Sequence, residues 1–176
     1  MWISLSATAS LTQTIFEMGA GSIHFKSTAS LETIDATSNK TRGAVDINQN
    51  TFAFSVDITS FEGFNSALQK EHFNENYLES DLFPKATFVG KLIDKFDPLK
   101  ATQTLRAKGQ LEIHGVKTER IVSVTLTKSG SNYVISSNFN VAIADHGITI
   151  PRIVNQKIAE IIMVEVKGTL KPKTAQ

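Results

Sequence analysis

The sequence contains no cysteine, which excludes disulfides, thiolate metal centres, iron–sulfur clusters and cysteine nucleophiles. It also lacks any run of about 18 apolar residues, the length a membrane-crossing helix requires. A charge surplus is missing as well. Lys and Arg number 18 against 17 Asp and Glu, for a formal net charge of +1. That balance argues against a nucleic-acid binder working through a large basic face. No Gly-x-Ser-x-Gly elbow, Walker loop, dinucleotide fingerprint or His-Glu-x-x-His motif is present. The four histidines (His24, His72, His114 and His146) never pair at i+2 to i+4, and the carboxylates are scattered. No cofactor or metal site is expected from this inventory, and evidence for an enzyme is weak. Asn39-Lys40-Thr41 matches the glycosylation acceptor pattern, which matters only on a eukaryotic secretory route.

Polar aromatics are scarce too, with one Trp and two Tyr, whereas Phe occurs 11 times. Phe has no polar handle, so it serves as core or as the wall of an apolar cavity. With 176 residues, 41% hydrophobic and 20% charged, the chain is sized for one soluble domain.

The dominant period is two. In Thr51–Ile58 the even positions are apolar, and Leu105–Ile113 alternates apolar or small residues with Arg, Lys, Gln and Glu. The same alternation appears in Ile23–Lys26, Ala86–Leu92, Val122–Leu126, Tyr133–Ile143 and Ile162–Val166. Turns are expected at His114-Gly115 and at Ser129–Asn132. Strands with one dry and one wet face suit a sandwich or an antiparallel barrel of about eight strands, filled or holding one ligand.

One stretch breaks the pattern. Asn65–Asn74 opens on a capping residue and continues with helix formers, predicting two to three turns before Pro84 returns the chain to strand. Such an insertion covers one end of a barrel or plugs it.

Met1–Ser10 lacks a basic n-region but carries a short apolar stretch and then Ala7-Thr8-Ala9. Residues 1–12 therefore read either as a truncated signal-peptide remnant or as an N-terminal strand, ahead of a single domain over 13–176.

Residues expected on the dry face are Phe25, Phe52, Phe54, Val56, Ile58, Phe88, Leu111, Val124 and Phe139. The insertion adds Leu68, Phe73, Tyr77 and Phe83. For any single one, a packed core is the simpler reading. Together they form the lining that a long apolar ligand needs, bound through area removed from water.

Three stretches carry a family resemblance. Ala67–Phe88 includes Ser80-Asp81-Leu82-Phe83-Pro84; Gly109–Lys117 includes Leu111, Ile113, Gly115 and Val116; Phe139–Pro151 includes Ala144-Asp145-His146-Gly147-Ile148. Their order and spacing resemble the YceI-like family of lipocalin-like polyisoprenoid-binding proteins over roughly residues 21 to 170. The resemblance implies an all-β, eight-stranded antiparallel barrel with a short inserted helix. It implies a non-catalytic pocket for an isoprenoid lipid, such as a quinone or polyprenyl phosphate, and a periplasmic or secreted location. It also favours the export-signal reading of the first residues. The chain departs from the family at Ser27–Ser30, where many members carry a histidine, and at Ala144 and His146, where a basic residue and a Phe are usual.

The lipid binder ranks ahead of a filled-core interaction module. An enzyme using Glu71, His72 or His146 near the mouth ranks last. A closed barrel has no obligatory edge, and paired β-edges or the helix face leave room for a homodimer.

Overall fold

The computed structural model describes residues 15–173. The signal-or-strand question at residues 1–12 lies outside them. Eight strands follow in order: β1 (Ile15–Thr28), β2 (Thr33–Asp46), β3 (Thr51–Asp57), β4 (Lys85–Leu92), β5 (Thr102–Ile113), β6 (Val116–Ser129), β7 (Asn132–Ala142) and β8 (Ile161–Pro172). Each pairs antiparallel with its neighbour in sequence, and β8 pairs with β1 to close an eight-stranded barrel.

The alternating segments fall where their periodicity places them. β5 is the clearest, with Gln103, Leu105, Ala107, Gly109 and Leu111 buried and their neighbours exposed. The strand without a sequence signal is β2. Its inward positions include Ala36, Ser38 and Thr41, all buried but small or polar, so no apolar alternation marks it. Tight turns close two hairpins. His114 and Gly115 both take left-handed φ, +52° and +70°, the pair a type I′ turn needs. Midway down the barrel Gly90 faces Gly109 across β4 and β5. A Cβ on Gly109 would sit 2.5 Å from the Val89 carbonyl, so only glycine permits this approach.

The inserted helical run is as long as the sequence predicts, but only its first part, α1 (Ala67–His72), is α-helical. Ser66 caps it, its Oγ accepting from the Gln69 amide at 3.1 Å. The chain then widens into a π-helical turn over Phe73–Tyr77, where the Leu78 amide donates to the Phe73 carbonyl at 3.0 Å.

The barrel has two storeys. At the end closed by the β2–β3, β4–β5 and β6–β7 turns the interior is solid. Phe16, Met18, Phe52, Leu105, Leu126 and Tyr133 are buried there together, and Phe96 from the β4–β5 loop packs edge-on against Tyr133. A second cluster of Ala36, Val56 and Phe61 lies at the opposite end.

One wall is laced differently. β6 and β7 share a backbone ladder only between Val124–Ser129 and Asn132–Ser137. Beyond it, side chains bridge the two edges. Ser137 Oγ donates to the Ser123 carbonyl at 2.8 Å, the Arg120 guanidinium donates to the Asn140 carbonyl, and from the turn after β7 (Ile143–His146) His146 Nδ1 donates to the Val116 carbonyl at 3.0 Å.

Candidate functional site: an apolar cavity in the upper storey

Above the solid storey the barrel is hollow, with a cavity of about 410 Å³. Its walls are nearly all aliphatic or aromatic side chains from the strand ends, including Ile23, Val56, Leu111, Val141 and Val164. Two chain segments roof it. One is the β3–β4 insertion, which lowers Phe73 onto Phe25 in a stacked arrangement with centroids 5.4 Å apart and planes 16° apart. Phe61 and Phe64 complete this aromatic cluster, each within 6 Å of Phe73 (5.9 and 5.0 Å). The other is the β7–β8 connection, contributing Ile143, Ile148, Val154 and Ile158. The roof is tied to the barrel by polar contacts. Glu32 accepts from Gln69 Nε2 at 2.7 Å, Asn65 Nδ2 donates to the Thr33 carbonyl at 2.9 Å, and the Ala159 amide donates to Ser27 Oγ at 2.9 Å.

Polar groups at the cavity are few. Glu32, Gln69, His72 and Lys157 stand at its rim, the last two exposed. Burial pushes the Tyr77 hydroxyl above its ordinary value. Among the described residues, no three His, Asp or Glu side chains come together as a metal site.

Of the residues expected to line a ligand site, Phe25, Val56, Ile58, Leu68, Phe73, Tyr77, Leu111 and Phe139 surround this cavity. The remaining five stand elsewhere. Phe52 is buried in the solid storey, and Phe54, Phe88 and Val124 pack against it; Phe52 and Phe88 have ring centroids 4.8 Å apart. Phe83 lies outside the barrel mouth, edge-on to His114 at 4.9 Å. The reason is simple: period two fixes the face of a strand, not the height of a residue along it. Phe61, Phe64, Ile148, Val154 and Ile158 also line the cavity but carry no such signal, because loops have no period.

His114 does more than form its turn. Its Nε2 lies 2.5 Å from a Glu79 carboxylate oxygen, and its Nδ1 lies 3.2 Å from the His146 carbonyl oxygen. Glu79 itself holds a left-handed φ of +44°. Two non-glycine residues in this uncommon conformation thus meet where the insertion returns to the barrel. His146 is fully buried, with Nδ1 on the Val116 carbonyl and Nε2 3.4 Å from Thr118 Oγ1. Of the three residues weighed as acid/base groups, only His72 borders the cavity.

The profile of the YceI-like domain matches residues 10–170. The chain belongs to the YceI-like family. Solved structures share the barrel. A polyisoprenoid-binding domain from Saccharophagus degradans, implicated in plant cell wall breakdown, is 12% identical with a TM-score of 0.77. That comparison covers 92% of this chain and 100% of the other. BcnA from Burkholderia cenocepacia is 14% identical with a TM-score of 0.69, over 85% of this chain and 95% of that one. A YceI protein from Campylobacter jejuni is 14% identical with a TM-score of 0.65, over 80% and 86%. No curated protein matches.

Proposed function

We propose that this YceI-like protein binds the chain of an isoprenoid lipid, such as a quinone or polyprenyl phosphate, in the upper-storey cavity and carries or sequesters it without chemical change. The single observation behind this reading is an apolar cavity of about 410 Å³ inside the barrel, roofed by an aromatic cluster and rimmed by few polar groups. Each carbon that such a wall takes out of water contributes about 0.8 kcal/mol, so affinity comes from length and fit rather than from directed contacts. The similar barrel of the S. degradans polyisoprenoid-binding domain supports the ligand class. We further propose a periplasmic or secreted location, a reading supported by the family resemblance and by the complete absence of cysteine.

Protein purified from a bacterial host and extracted with organic solvent is expected to release a stoichiometric isoprenoid, detected by mass spectrometry. Protein that carries no lipid and takes up none when offered isoprenoids would overturn the carrier function. Fractionation of cells expressing the native gene tests the location.

A further inference from the structure

We infer that the cavity measures its ligand, enclosing about three isoprene units and leaving the rest of a longer chain outside the barrel. This rests on the lipid-binding reading and adds a limit that the reading alone does not contain. Taking a carbon group to fill about the 30 Å³ that a water occupies in the liquid, 410 Å³ holds about 14 carbons. Three isoprene units bring 15.

The limit comes from the floor. Along β3 and β4 the cavity-lining residues are Val56 and Ala86, directly opposite each other. The next inward pair toward the solid storey is Phe54 opposite Phe88, and Phe88 in turn faces the cavity-lining Leu111 across β5. Phe88 lies against Phe52, whose ring also meets Phe54. These three rings pack together, starting one inward step below the cavity-lining Val56 and Ala86. Beneath them the interior is close-packed down to Phe96 and Tyr133, leaving no continuing tube for a chain to enter.

Every carbon inside the cavity improves Kd by about fourfold. A carbon beyond the mouth stays in water and adds little. Affinity should thus rise steeply with chain length and then break to a plateau at the length the floor permits.

The test uses prenyl alcohols of two, three, four and nine isoprene units, delivered from cyclodextrin to delipidated full-length protein, with Kd read by calorimetry. Affinity is expected to tighten by more than about tenfold from two units to three, and by less than about twofold from four to nine. Phe88→Ala removes a floor ring and is expected to move the break to four units or beyond. Ala86→Phe raises the floor into open space and is expected to move it down to two, which keeps the test decisive should Phe88→Ala fail to fold. Affinity that keeps tightening through nine units, or a break that stays put in a folded variant, overturns the length limit while leaving lipid binding intact. No binding at any length overturns the limit together with the lipid-binding reading.

Discussion

His114→Ala should loosen the attachment of the roof to the barrel. Three contacts disappear. The bond to the Glu79 carboxylate, which is 43% exposed and therefore screened, is worth about 1 kcal/mol rather than the upper range for charged groups. The bond to the His146 carbonyl contributes about 1 kcal/mol more, and the edge-on ring contact with Phe83 about 0.5–1. Alanine gains nothing in return, because it retains the left-handed backbone that His114 holds at φ +52°. The sum is about 2.5–3 kcal/mol. In a chain of this size that lowers Tm by roughly 5–10 °C. His114→Asn makes a useful partner, since Asn tolerates the left-handed region and should lose about 0.5–1 kcal/mol less. Urea denaturation of the three proteins measures the differences. A loss below about 0.5 kcal/mol in the alanine variant would refute the view that this histidine pins the insertion.

Asp94 sits in a fork with Arg106, whose guanidinium and backbone amide both donate to it and hold its carboxyl down at about 2. A folded value below the unfolded one adds stability above the unfolded pKa, which is lost as pH falls from about 4 through about 2. Asp94→Asn should flatten that part of the acid-stability curve and leave the neutral-to-alkaline part parallel to wild type. Gly109→Ala should cost more than about 2 kcal/mol in denaturant unfolding, because its methyl would meet the Val89 backbone, which cannot yield. Phe88→Asp should abolish the cooperative fold, since an unpaired carboxylate would enter the solid storey; Val164→Asp, in the cavity wall, should keep the barrel's circular dichroism and lose lipid.

The sequence disclosed the barrel's staves better than its contents. Alternation marked every strand whose interior face is built from Leu, Ile, Val or Phe, and it failed at β2, where Ser38 and Thr41 occupy inward positions. The cavity was legible only in part. Phe25 and Phe139 share their facing with Phe52 and Phe88, and nothing local to the chain tells upper from lower, because storey depends on register between strands distant in sequence. Of the 11 phenylalanines, most pack on one another. Phe52, Phe54 and Phe88 meet beneath the cavity, while Phe25, Phe61, Phe64 and Phe73 gather at its roof.

A backbone ladder cannot be deleted by a point mutation, because every residue but proline brings the same amide and carbonyl. Where β6 and β7 part company, the wall is instead fastened by Ser137, Arg120 and His146, three individual clasps made of side chains. Closure along that stretch is therefore written in codons rather than in the peptide chain itself. A single nucleotide change can unfasten one clasp, losing about 1 kcal/mol for the hydrogen bond alone, and leave the remaining staves hydrogen-bonded as before. Of the barrel's eight junctions, this is one whose tightness can be tuned a residue at a time.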